Sequence, residues 1–112
     1  MAATLASDVK LIHSPDVPYG GVYEGPEGFR KWAEEMSRYF DIVDVQNPQV
    51  LENGDLVVVV SNLKLRVRES QQEWENPFTQ VIKVDRQKGV ITEIRPFYWD
   101  LKGLNAVLRR TA

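Results

Sequence analysis

The sequence predicts an α+β domain in which one mostly antiparallel sheet is folded around a helix. Three observations carry that prediction. Apolar residues recur at helical spacing between Phe29 and Phe40, the period changes to two from residue 42 to 99, and helical spacing returns after Asp100. The order is therefore strand, helix, four antiparallel strands, helix. One helix lying on a long meander cannot cover both faces of a flat sheet. The sheet must either curl around the helix into a cone or bury its outer face against a second subunit.

Each element has its own local reason. Residues 1–7 read as a helix remnant at most, while Val9, Leu11 and His13 alternate with Lys10 and Ile12 as a short strand. Residues 14–25 hold Pro15, Pro18 and Gly20-Gly21, the composition of a loop. Pro26 suits the first helical turn, where its missing N–H would go unpaired anyway. Phe29, Trp32, Ala33, Met36 and Phe40 form the apolar stripe of that helix, opposite Arg30, Lys31, Glu34, Glu35 and Arg38. Asn53-Gly54 signals a hairpin between a strand ending near Leu51 and one over residues 56–68. Strands over residues 73–84 and 90–99 follow, separated by a second hairpin loop. Leu101, Leu104, Val107 and Leu108 mark a closing helix over residues 101–110, with Asp100 placed to cap it.

Composition narrows the function classes. A chain of 112 residues with 43% hydrophobic residues is expected to form one domain, residues 1–112, with a real core. A net charge of −2 supplies no field attractive to nucleic acid, and Lys64, Arg66 and Arg68 sit among Glu69, Glu73 and Glu75 as a solvated strand face. The absence of Cys removes disulfides, thiolate catalysis and zinc–thiolate sites, and a single His removes multi-histidine metal sites. No cofactor is expected. The apolar run over residues 56–60 is too short to span a membrane, and nothing like a signal peptide precedes the first strand, so the expected location is cytoplasmic.

Several stretches in order resemble a known family. They are His13-Ser14-Pro15, then Pro18-Tyr19-Gly20-Gly21-x-Tyr23-x-Gly25 into the helix, Asn53-Gly54-Asp55, Pro77-Phe78-x-Gln80-Val81, and Arg95-Pro96-Phe97-Tyr98-Trp99-Asp100. With these the chain resembles SnoaL-like proteins of the nuclear-transport-factor-2-like superfamily from about Asp8 to Leu108. The resemblance implies a conical sheet whose concave face forms an apolar pocket, often in a homodimer. Members include polyketide cyclases, ketosteroid isomerases, limonene-type epoxide hydrolases and proteins that only bind, so the fold alone does not assign a reaction. Two departures stand out. The N-terminal helix that lids the pocket is shortened here. The Arg-x-Asp positions of the epoxide hydrolases are Leu63 and Leu65, with Pro96 or Phe97 at the partner carboxylate, which disfavours that hydrolysis.

Strand alternation selects the inward side chains. Val57, Val59, Leu63, Leu65 and Val67 share one face of the long strand, and Phe78, Gln80, Ile82 and Val84 share one face of the next. Gln80 is a polar amide in an apolar row, either satisfied by a neighbouring protein group or held for a ligand oxygen. His13 shares the parity of Val9 and Leu11, and its ordinary pKa makes it the best general base available near neutral pH. Asp100 is a helix cap that could double as a second acid or base. Tyr19, Tyr23, Trp32, Tyr98 and Trp99 are core and rim aromatics, of which Tyr19 and Tyr98 are candidate ligand donors. Gly20-Gly21 and Gly25-x-x-Gly28 lack the lysine of a nucleotide loop, and Ser14 beside His13 makes no triad because neighbours on an extended chain point apart.

The leading expectation is a cofactor-free isomerase or cyclase acting on an apolar, oxygenated small molecule of polyketide, terpenoid or steroid type. His13 and Asp100 would be catalytic, and Tyr19, Tyr23, Trp32, Leu63, Leu65, Gln80 and Tyr98 would contact the substrate. The alternative is a binding or dimerisation module of the same fold. A homodimer through the outer sheet face is expected; nucleic-acid and membrane partners are not.

Overall fold

The computed structural model describes residues 4–109. Strand β1 spans Thr4–His13, β2 Gly21–Glu24, β3 Phe40–Asn53, β4 Leu56–Val67, β5 Glu73–Asp85 and β6 Val90–Tyr98, with helices α1 at Gly25–Tyr39 and α2 at Leu101–Arg109. The strands form one open sheet in the order β2-β1-β6-β5-β4-β3, antiparallel except for the parallel pair β1–β6. This is the α+β architecture that the periodicities predict.

Three local expectations are corrected. Residues 4–7 are the start of β1, not a helix remnant: Thr4 and Leu5 pair with Val90 and Ile91, so sheet hydrogen bonding overrides weak helical preference. Residues 1–3 of that expected remnant lie outside the described residues. Within the expected loop, Gly21–Glu24 is a strand paired with Lys10–His13, too short for alternation to reveal. The hairpin turn is Gly54-Asp55, one residue later than Asn53-Gly54, and Asn53 pairs with Leu56. Gly54 takes φ +61° at the first turn position, where a two-residue hairpin favours glycine.

Helix α1 has Pro26 in its first turn and stops at Tyr39, because Phe40 adopts extended geometry and opens β3. Met36 is buried, Phe29 and Trp32 are half-buried, and Ala33, expected on the apolar stripe, is exposed. At α2 the capping expectation holds: the Gly103 N–H donates to Asp100 Oδ1 at 2.9 Å. A Cβ at Gly103 would stand 2.1 Å from Asp100 Oδ2, so a side chain there would displace the cap. The charges of the predicted solvated strand face are exposed or half-buried, and its cations Lys64 and Arg66 are ion-paired. Arg66 Nε donates to Asp41 Oδ1 at 2.8 Å, which holds the Asp41 carboxyl down to about 2, and Lys64 faces Glu73 at 3.7 Å.

The core gathers Tyr19, Phe40, Leu63, Leu65, Trp74 and Phe78 on the inner face of the sheet, under α1 and α2. Register accounts for this placement. Leu65 lies opposite Trp74, Ser61 opposite Phe78 and Phe78 opposite Tyr98, so these side chains share one face. The sheet curls, since one cavity is lined by Leu11 of β1 and by Val43 and Val45 of β3. In a flat sheet those strands would stand about 19 Å apart, four spacings of about 4.8 Å. Bulges between Gln46 and Gln49 and between Lys83 and Val84 mark where the ladders bend.

Candidate functional site

The site is assembled from three parts of the chain with little sequence proximity. Parallel pairing of Leu11 with Ile94 carries the end of β1 alongside β6 and brings His13 to Tyr98. Tyr19 is held by its loop: the Gly20 N–H donates to Val17 O at 2.9 Å, and Tyr23 Oη donates to Tyr19 O at 2.9 Å. A Cβ at Gly20 would stand 2.0 Å from Ser14 O, so only glycine lets the loop close this tightly. Helix α1 supplies Phe29, Trp32 and Met36 from above.

Between these parts lies a cavity of about 130 Å³. Of the residues singled out from the sequence, His13, Trp32, Leu63, Gln80 and Tyr98 line it. The Gln80 amide has no partner among the described residues and lines the cavity instead. Tyr19 stands behind Tyr98, Leu65 is fully buried in the core, and Tyr23 braces the loop; none of the three lines the cavity. Asp100 is also absent from the lining; it caps α2, and its carbonyl accepts from Trp74 Nε1 at 3.2 Å. Phe29, Met36, Ile94 and Pro96 line the cavity without having been singled out. Their signal was available. Phe29 and Met36 lie on the stripe of Trp32, and Ile94 and Pro96 share the parity of Tyr98.

Counting protons fixes the direction of the hydrogen bonds. Tyr19 Oη lies 3.1 Å from Tyr98 Oη, its sole partner among the described residues, so Tyr19 donates to Tyr98. Tyr98 then has one proton to give, and His13 Nε2 lies 2.6 Å from its oxygen. Burial lowers the His13 pKa to about 4, so the ring is neutral at pH 7 and carries one proton. With Nε2 accepting from Tyr98, that proton sits on Nδ1. Burial also pushes both phenols well above the usual tyrosine range, which keeps Tyr19 and Tyr98 protonated.

Two buried N–H groups are consequently left without an acceptor, His13 Nδ1 and Trp32 Nε1. Their ring centroids are 5.9 Å apart, and both residues line the same cavity. An unpaired buried donor costs about 1–3 kcal/mol. Both belong to side chains that line one apolar cavity, where an acceptor oxygen brought within reach of either N–H would satisfy it.

The family model for the SnoaL-like domain matches residues 1–94. The chain belongs to this SnoaL-like domain family. No curated protein matches the sequence. Among solved structures, this SnoaL-like domain is similar to a nuclear-transport-factor-2-like protein of unknown function from Burkholderia pseudomallei, with TM-score 0.84 and 18% identity over 95% of this chain and 80% of that one. A second, from Burkholderia xenovorans, has TM-score 0.77 and 24% identity over 98% and 79% of the two chains. TerC, co-crystallised with polyporic acid, has TM-score 0.81 and 16% identity over 94% and 80%. At these identities the likeness establishes the fold. No helix among the described residues is long and apolar enough to cross a membrane.

Proposed function

We propose that this SnoaL-like domain binds a small apolar molecule through a carbonyl, enolate or phenolic oxygen held by His13 Nδ1–H and Trp32 Nε1–H. The observation that carries this reading is the pair of buried donors without acceptors, His13 Nδ1 and Trp32 Nε1, on two side chains that line one apolar cavity. A ligand oxygen would satisfy both, and Gln80 would add a third polar contact. Tyr98 orients His13, and Tyr19 orients Tyr98. The co-crystal of TerC with polyporic acid supports a small-molecule-binding reading for this fold.

The general-base role expected for His13 gives way to a donor role here, because its Nε2 lone pair is occupied and burial opposes protonation. A neutral imidazole donor is suited to charge that develops on an oxygen. That favours a second reading, in which the site promotes isomerisation or aldol-type cyclisation by stabilising an enolate. No carboxylate lines the cavity among the described residues, so the proton acceptor in that reading is solvent or the substrate itself. Deuterium incorporation at the α-carbon of a bound ketone in D₂O, faster than in buffer, would establish the catalytic reading; a rate equal to buffer leaves binding alone.

Trp32→Phe tests the binding reading. Affinity for 2-naphthol is expected to fall about 5- to 30-fold, equivalent to roughly 1–2 kcal/mol for one lost hydrogen bond. Affinity for naphthalene, which has no oxygen, should not change. Equal losses for both compounds would overturn the reading.

The same proposal assigns a second copy of this chain to the outer sheet face. Val60 lies opposite Thr79 and Thr79 opposite Phe97, so Val60 and Phe97 share that face; Phe97 is 50% exposed. Phe97→Glu should convert a dimer to monomer in sedimentation velocity. A monomeric unmodified protein would refute this assignment.

A further inference from the structure

The inner face of the sheet carries a second, larger cavity that helix α1 does not cover. It is a trough of about 540 Å³ whose apolar lining includes Val57, Val59, Ile82, Val84 and Ile91. It adjoins the donor site directly. Val59, in the trough wall, lies opposite Gln80, in the wall of the small cavity, and Ile82 lies opposite Ile94 in the same way.

Size decides what the two spaces do together. Sites for drug-sized molecules have volumes of about 300–1,000 Å³, and the inner cavity, at about 130 Å³, holds little more than an oxygenated head. The trough brings the combined space into that range. It contributes apolar surface next to Gln80 and Ile94 of the small cavity and polar groups only at its far end. There Arg86 Nε donates to Gly54 O at 2.6 Å and pairs with Glu52 at 3.4 Å. From Gln80 to Val84 the strand advances about 13 Å, at about 3.3 Å per residue.

We infer that the trough holds the apolar body of the same ligand whose oxygen sits at His13 and Trp32. The ligand class is an uncharged elongated molecule with one terminal carbonyl or phenolic oxygen and an apolar body about 13 Å long, the advance along the strand from Gln80 in the small cavity to Val84 in the trough. This rests on the donor-pair reading above and adds the ligand's size and shape. Half-buried aliphatic side chains in a row recover hydrophobic free energy when an apolar body replaces water over them.

The test uses phenol, 4-propylphenol and 4-hexylphenol, with affinities measured by calorimetry on the full chain. Each three-carbon extension should tighten binding about tenfold, or about twofold per methylene, below the roughly fourfold per methylene of complete burial. Ile82→Glu should erase that gain and leave phenol affinity within about twofold. If Ile82→Glu does not fold, the isosteric pair Val57→Thr with Val59→Thr should reduce the gain several-fold. Affinity that depends on Trp32 and is indifferent to tail length would overturn the trough assignment and leave the donor-pair reading standing. A tail gain unaffected by Trp32→Phe would overturn the donor-pair reading, and with it the claim that one ligand spans both spaces. Conversion of a dimer to monomer by Ile82→Glu would assign the trough to a second copy and overturn the proposal.

Discussion

Acidification from pH 6.5 to pH 4 is expected to remove roughly 3 kcal/mol of folding stability through His13 alone. Burial lowers the folded-state pKa from 6.5 to about 4. Between those values the unfolded chain binds a proton at His13 and the folded chain does not, so stability rises with pH across that window. The contribution is complete above the unfolded value and is lost as pH falls toward about 4. Since His13 is the only histidine, no other imidazole contributes to this slope. Asp41 is held down to about 2 by Arg66, so it loses its pairing in a more acidic window. Denaturant titrations at pH 4.5, 5.5 and 6.5 should give a steep pH dependence for the unmodified chain and a shallower one for His13→Gln, whose amide can still accept from Tyr98. Equal slopes would show that His13 is not buried as described. Against a typical total of about 5–15 kcal/mol, a loss of this size is large.

The second large effect concerns Tyr98. Tyr98→Phe removes the acceptor of Tyr19 and the donor to His13 Nε2 in one step, leaving two buried polar groups unsatisfied. At about 1–3 kcal/mol each, the cost should be roughly 2–6 kcal/mol. Tyr19→Phe removes the other end of the same chain and leaves Tyr98 still donating to His13. Its cost should be nearer to about 1 kcal/mol. Chemical denaturation distinguishes the two, and costs equal within about 0.5 kcal/mol would refute the direction assigned to the hydrogen bonds. Long-range ¹H–¹⁵N correlation spectra provide an independent check. The imidazole should carry its proton on Nδ1 in the unmodified protein and lose that preference in Tyr98→Phe.

Much of the fold was legible because its signals are local. Period-two alternation along residues 56–67 and 73–84 places Leu63, Leu65, Phe78 and Gln80 on one face, and the register confirms it. The Asp100 cap was legible for the same reason, since a cap and its helix are contiguous. Strand β2 was not, because four residues between a glycine pair and a helix are too few for a period to show. Its partner, Lys10–His13, is fixed by tertiary contact. Ala33 fell on the predicted stripe yet is exposed, because the helix meets the sheet over a narrower face than its sequence pattern allows.

The candidate site divides along the same line. His13, Trp32, Gln80 and Tyr98 could be singled out as polar or aromatic groups on apolar faces, since side-chain type and parity are properties of the chain itself. Whether Asp100 belonged with them could not be read in this way. Its distance from the cavity follows from where α2 packs. Only the tertiary structure decided that Tyr98 occupies the His13 lone pair, because the parallel β1–β6 pairing joins residues 85 positions apart. That contact is what makes His13 a donor rather than a base in the function proposed above. A hydrogen bond's direction depends on every partner within reach, and the partners are chosen by packing.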